Sequence, residues 1–175
     1  MSILRLILWR KGKQYQLFEK AYRQYAQGIF RFIYFKVSDY ELAKDFTTDT
    51  FIRFWKQLVN GKKIQNDKAL LYFIAKGITI DYYRKKNNTK RVSLDTIDER
   101  LLGVIDPAED KFSIKQELEQ VYIKLKKIKK EYQDVILLHY VEDLKISEIA
   151  DVLNKKGNTV RVLLHRALKS LKEKL

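Results

Sequence analysis

The chain has no cysteine, one proline, six glycines and two histidines in 175 residues. Without cysteine there is no disulfide, no thiolate metal site and no cysteine nucleophile, and the chain suits a reducing compartment. His139 and His165 have no ligand cluster around them. His139 and Glu142 have i, i+3 spacing, but a carboxylate-bridged metal site needs several such helices. No Gly-rich phosphate loop, nucleophile elbow or zinc-ligand set occurs, so the expectation is no catalytic residue, no metal and no cofactor. Long apolar runs are also missing. The stretch Ile3 to Trp9 is interrupted by Arg5; it is too short to span a bilayer and lacks the order of a secretory signal. The expectation is a soluble cytoplasmic protein with no stable membrane insertion and an N-terminal tail.

Positive charge, by contrast, is plentiful. Lys and Arg number 36 against 22 Asp and Glu, a formal net charge of +14. That balance favours a polyanionic partner, either nucleic acid or an anionic membrane surface. The 46% hydrophobic content is enough for a buried core.

Residues Tyr15 to Val37 carry apolar groups at helical spacing, among them Leu17, Phe18, Ala21, Tyr22, Ile29, Phe32 and Ile33. They predict one long helix, with Gly28 as the place where it would break, since a mid-helix glycine costs ~1 kcal/mol. Ser38 and Glu41 have the spacing of a capping box opening a second helix to about Leu58. Its apolar residues, Leu42, Phe46, Phe51, Ile52, Phe54, Trp55 and Leu58, are too many for one narrow stripe. Either some of Phe46, Phe54 and Trp55 face a partner, or the helix is packed on two sides; periodicity does not choose.

Val59 to Asp67 reads as a polar loop. A third helix follows to about Lys86, with Leu70, Phe73, Ile74 and Ile78 expected inside. The face around Tyr72, Lys76, Thr79, Tyr83 and Lys86 interleaves rings with cations, the chemistry that single-stranded nucleic acid needs for stacking and phosphate contact. The plain alternative is tyrosines packed with hydroxyls outward. Asn87 to Lys111 is acidic, contains Pro107 and reads as a linker. Beyond it, Phe112 to Lys130 and Tyr132 to Val141 predict two more helices.

The last stretch has a helix-turn-helix pattern. A short helix, Ile146 to Leu153, is followed by the turn Asn154-Lys155-Lys156-Gly157 and a second helix from Asn158 to Lys172. In that second helix Val160, Leu164, Ala167, Leu168 and Leu171 form an apolar stripe. Asn158, Arg161, His165, Lys169 and Lys172 lie opposite and can donate to base edges or neutralise phosphates. An ordinary amphipathic helix with a solvated basic face fits the second helix equally well by itself; the preceding helix and turn favour DNA binding. The fold class is thus all-α: two small helical domains joined by a linker, residues 1–87, 88–111 and 112–175, the C-terminal one a helix-turn-helix.

Three stretches together resemble the sigma-70 family of bacterial RNA polymerase sigma factors, specifically its small extracytoplasmic-function (ECF) type. They are AKDFTTDTFIRFW at residues 43–55, FIAKGITIDYYRKK at residues 73–86, and Glu148-Ile149-Ala150 with Thr159-Val160-Arg161, His165-Arg166-Ala167 and Leu171. The resemblance implies a factor that binds core RNA polymerase and directs promoter-specific initiation. It implies that Asp45, Asp49, Phe51, Arg53 and Trp55 lie on or behind the surface clamping the polymerase's largest-subunit coiled coil, while the C-terminal domain meets the flap. Asn60, Lys62, Lys63, Asn66, Tyr72, Lys76, Tyr83, Arg84 and Lys86 would melt and hold the minus-ten element of promoter DNA. Asn158, Thr159, Arg161, His165 and Lys169 would read the minus-thirty-five element as duplex. The acidic linker would thread near the polymerase active site, and an anti-sigma factor is a further partner that the resemblance allows. The chain departs from the family pattern at Val162-Leu163, where Ser-Arg is frequent, and at Leu70, Gly77 and Lys145, where Trp, Asn and Ser or Thr are.

Two other readings remain at this stage. A stand-alone helix-turn-helix regulator would bind an operator tightly without polymerase. A nucleic-acid enzyme such as a recombinase would need a catalytic serine or acidic triad, which Asp39, Asp45 and Asp49 do not obviously form.

Overall fold

The computed structural model describes residues 3–89 and 123–174, and side chains over 12–86 and 123–174. The chain divides into two compact units, Met1–Ser93 and Leu94–Leu175. The linker expected at 88–111 lies outside the described residues apart from its first two, which belong to the end of a helix.

Among the described residues the first unit holds three helices: α1 (Ile3–Val37), α2 (Tyr40–Val59) and α3 (Asp67–Thr89), each packed against the other two. α1 runs unbroken through Gly28, which is buried. Packing on two neighbouring helices offsets the ~1 kcal/mol that a mid-helix glycine costs. α1 ends where Ser38 turns left-handed, φ 52°, with its amide donating to the Tyr34 carbonyl at 2.8 Å. The cap of α2 is therefore not Ser38 but Asp39, whose extended backbone lets Oδ1 accept from the Leu42 amide at 3.0 Å. Ser38 cannot serve both helices, because its backbone is already committed to terminating α1.

α2 closes through Asn60 and the left-handed Gly61, φ 70°. The Gln14 side chain donates to the Leu58 carbonyl at 2.8 Å, tying α1 to that end. Asn66 caps α3, its Oδ1 accepting from the Ala69 amide at 2.9 Å. The core is aromatic: Phe32, Phe54 and Tyr72 are all but inaccessible. Phe32 and Tyr72 meet edge to face at 5.5 Å, and Phe18 sits 5.4 Å from Trp55 and 6.1 Å from Phe51.

In the second unit, residues 123–126 are helical, but the helix expected to run to Lys130 stops short. The chain turns at residues 127–129, and α4 (Lys130–Ile136) starts anew with Lys129 at its N-cap. The buried Gln133 side chain fills the turn, donating to the Ile128 carbonyl at 2.8 Å. That satisfies a carbonyl the turn would otherwise leave unpaired. The part of the expected helix over 112–122 lies outside the described residues.

α4 continues as a π turn, Leu137–Val141, closed by the Glu142 amide on the Leu137 carbonyl at 3.0 Å. His139 lies with Nδ1 3.0 Å from the Leu144 carbonyl, which makes it a donor to backbone there. α5 (Ile146–Leu153) and α6 (Gly157–Lys172) follow. The Lys145 amide donates to Glu148 Oε2 at 2.7 Å, the glutamate half of a capping box, while the lysine ammonium has no lone pair with which to accept from the first-turn amides. The left-handed residue of the turn is Asn154, φ 51°, and not Gly157, which opens α6. An aliphatic core joins the elements, with Val135, Leu138, Leu144, Ile149, Val152 and Val160 buried.

Candidate nucleic-acid interface

On α6 the buried side is Val160, Leu163 and Ala167, at i, i+3 and i+7. This stripe faces α4 and α5, on both of which α6 packs. The expected stripe was rotated toward Leu168, which is 39% exposed, while Leu163, not expected inside, is 8% exposed. The small Ala167 lies at the contact, and a stripe centred on it brings Leu163 inward and turns Leu168 out.

The outer face keeps Asn158, Thr159, Arg161, His165, Lys169 and Lys172 exposed. Arg161 Nη1 donates to Asn158 Oδ1 at 2.7 Å, one turn back, which holds the guanidinium over the start of the helix. Recognition helices contact base edges from their N-terminal part, and this is where Asn158 and Arg161 sit. Near the turn, Lys155 Nζ pairs with Glu131 at 3.0 Å.

α3 differs from expectation. It packs on both α1 and α2, so a wide arc is buried: Leu71, Tyr72, Ile74, Ala75, Ile78 and Thr79. Tyr72, expected at the nucleic-acid face, is 1% exposed and belongs to the core against Phe32, and its ring has no free face for a base. Thr79 is buried too, its hydroxyl donating to the Lys76 carbonyl at 2.8 Å. Phe73, expected inside, is 50% exposed, and Ile80 is 52% exposed. Phe73, Gly77, Ile80 and Arg84 fall on one outward line, at intervals of a helical turn. Lys76 is half-buried beside it.

Tyr83 is half-buried and its hydroxyl donates to the Lys36 carbonyl at 2.6 Å, bracing the end of α1. Burial pushes its phenol above the ordinary range, and the neighbouring Tyr82 adds to this. Tyr82 packs on Phe46 at 5.4 Å, with Lys86 Nζ 5.7 Å from its ring centroid. Arg84 and Lys86 are exposed, as are Asn60, Lys62 and Lys63 in the loop before α3. Asn66 stands in that loop with one oxygen engaged as the cap of α3.

On α2, Phe54 is fully buried and so faces no partner. Phe46 and Trp55 are half-buried, and the exposed apolar residues are Ile52, at 47%, and Val59, at 44%. Phe51 is buried behind the surface, 4.9 Å from Tyr22. Asp45 is exposed, and Asp49 pairs with Arg53 at 2.9 Å. Sequence periodicity places Phe73 inside and singles out neither Ile80 nor Ile52 for the outer surface. The excess of apolar positions noted on α2 is present on α3 as well, and is the signal that points outward there. Among the described residues no group of His, Asp and Glu is placed to hold a metal ion, and no helix is long and apolar enough to cross a membrane.

Two family models match the chain: Sigma-70 region 2 over residues 21–89, and Sigma-70, region 4 over residues 118–171. The chain belongs to the sigma-70 family. It is an RNA polymerase sigma factor of the ECF type, which binds core polymerase and directs promoter-specific initiation. It is 28% identical over 157 residues to RNA polymerase sigma factor YlaC of Bacillus subtilis, covering 90% of this chain and 91% of that protein. It is 25% identical over 161 residues to ECF RNA polymerase sigma factor SigX of the same organism, covering 90% and 83%. Among solved structures it is similar to the sigma factor RpoE in complex with the anti-sigma factor NepR from Bartonella quintana. The TM-score is 0.72 at 18% identity, covering 90% of this chain and 95% of that one. At that identity the likeness shows the sigma-factor fold.

Proposed function

We propose that the two units of this sigma factor divide the promoter between them, the first holding the separated minus-ten strand and the second reading the minus-thirty-five duplex. The observation that carries the reading is the polar outer face of α6, with Arg161 braced by Asn158 at 2.7 Å over a fully buried Val160. Asn158, Thr159, Arg161 and His165 supply donors for base edges, and Lys169 neutralises phosphate.

For the first unit the strand-holding surface is the outward line of α3, with Phe73 as the stacking ring and Lys76, Arg84 and Lys86 as cations. Asn60, Lys62 and Lys63 in the exposed loop before α3 add to it. Tyr83 supports this surface from behind. The polymerase-facing surface is that of α2, with Asp45, Asp49, Arg53 and Trp55 outside and Phe51 beneath. The domain division is residues 1–89, since α3 runs to Thr89, and residues 112–175, joined by a linker that starts after α3. The factor contributes no catalytic group of its own and acts in the cytoplasm, where its polymerase is. The anti-sigma complex of the structural relative supports an anti-sigma factor as a further partner.

The test is run-off transcription with sigma-free cognate core polymerase on genomic DNA. Discrete start sites that depend on the protein are the expected result. Tight operator binding without polymerase, and no transcripts, would replace the proposal with a stand-alone regulator.

A further inference from the structure

Val162 has the wrong chemistry for its place. It stands on the outer face of α6, one turn from Asn158 and one turn from His165 and Arg166, all exposed. It is itself 49% exposed, while Val160 and Leu163 on either side turn inward at 0% and 8%. Its isopropyl group can neither donate nor accept a hydrogen bond. Branching at Cβ restricts it to one preferred rotamer in a helix, so it offers a fixed apolar knob. A protein partner would call for a continuous apolar patch. Val162 instead stands among Asn158, Thr159, Arg161, His165 and Arg166, whose charges and donors suit DNA. In a major groove the one apolar feature of the base edges is the C5-methyl of thymine.

We infer that Val162 reads a thymine methyl in the minus-thirty-five duplex and so sets a thymine preference there. The inference rests on α6 being the duplex-reading helix. Cytosine or guanine at that position would set a polar edge against the isopropyl group without a partner, which is unfavourable.

The experiment uses the full chain bound to core polymerase, on a promoter mapped by run-off transcription. Each minus-thirty-five thymine is replaced singly by deoxyuridine, which removes only the methyl. Loss of one buried methyl contact is expected to weaken holoenzyme binding about fourfold at the thymine concerned. In V162S the wild-type sequence binds more weakly and the deoxyuridine penalty at that thymine disappears; V162A gives an intermediate result. Val162 is not in the core, so an unchanged thermal transition shows that the variants are folded.

No deoxyuridine effect at any thymine, in a protein where R161A does weaken binding, overturns the inference and leaves α6 as the duplex reader. A penalty that persists in V162S but vanishes in T159S assigns the methyl contact to Thr159 and overturns it as well. A minus-thirty-five element without thymine does the same. If R161A and K169A leave promoter binding unchanged, the duplex-reading assignment itself fails.

Discussion

The two units of the chain pack different cores and present different outer helix faces. The first packs three long helices around aromatic rings and still leaves Phe73, Ile80 and Ile52 outside. The second builds an aliphatic core from short helices and presents Asn158, Arg161, His165 and Lys169 on its outer face. The contrast matches the two states of DNA that a sigma factor meets. An unpaired base offers its π-face, which asks for an exposed ring. A paired base offers only its edge, which asks for donors and acceptors at fixed positions. On the proposed division of the promoter, the exposed apolar groups of α3 would meet unpaired bases and the exposed polar groups of α6 paired ones.

The adjacent residues Tyr72 and Phe73 give the hardest test of that contrast. Tyr72→Ala empties a buried ring site and is expected to cost about 3–5 kcal/mol, read as a large fall in thermal stability. Phe73→Ala is expected to change stability by no more than about 0.5 kcal/mol, as exposed positions do. It should nevertheless reduce promoter opening, measured by permanganate reactivity of thymines in the minus-ten region. If Phe73→Ala destabilises as strongly as Tyr72→Ala, the ring belongs to the core and the first unit loses its stacking surface.

The second test compares how the two faces respond to salt. Arg161→Ala is expected to lower promoter affinity by about 1–3 kcal/mol and to relax base preference near its contact. Lys169→Ala should weaken binding to all sequences alike and reduce the salt slope by about one. Phe73→Ala should leave the slope unchanged, because stacking releases no counterions. Equilibrium binding of holoenzyme over a salt series measures all three. A Phe73 variant that changed the slope as Lys169→Ala does would erase the distinction between the faces.

The same contrast explains what could be read in advance. α5 and α6 each bury one side only, so spacing alone located both helices and the polar side of α6, from Asn158 to Lys172. The error there was a small rotation, with Leu168 read as inside where Leu163 is. α3 packs on two helices and carries a further apolar face outside, so no single stripe was available to find, and Tyr72 and Phe73 were exchanged. Capping was legible in kind but not in place. Ser38 and Asp39 are both good cap residues, and only the left-handed backbone of Ser38 shows which helix each serves. Asn154 and Gly157 both fall in the expected turn, and the structure takes its left-handed step at Asn154 while Gly157 opens α6. A Cβ on Gly157 would meet nothing closer than 3.9 Å.

Asn154 ends α5 at φ 51°, a region that alanine enters at a cost of roughly 1–2 kcal/mol and asparagine more readily. Asn154→Ala is expected to destabilise the second unit by about 1 kcal/mol, and Asn154→Gly to be near neutral. Chemical denaturation of the two variants distinguishes them. Promoter binding should follow stability in both, since Asn154 shapes the turn and reads no base. A loss of affinity in a fully folded Asn154→Gly protein would extend the duplex contact from α6 into the turn.

The smallest effect on stability is expected at Asp49, and it bears on the polymerase. The pair with Arg53 spans one turn of α2, with the side chains 41% and 47% exposed, so solvent screens it. Such i, i+4 pairs contribute about 0.3–0.5 kcal/mol, and Asp49→Asn should change stability by no more than that. If the pair serves α2 alone, affinity for core polymerase will not move either. If Asp49 faces a basic surface on the polymerase, the variant should bind core more weakly by well over the stability change, and more so at low salt, where the lost charge matters most. Competition for core polymerase against the unmodified chain, at two ionic strengths, separates these outcomes.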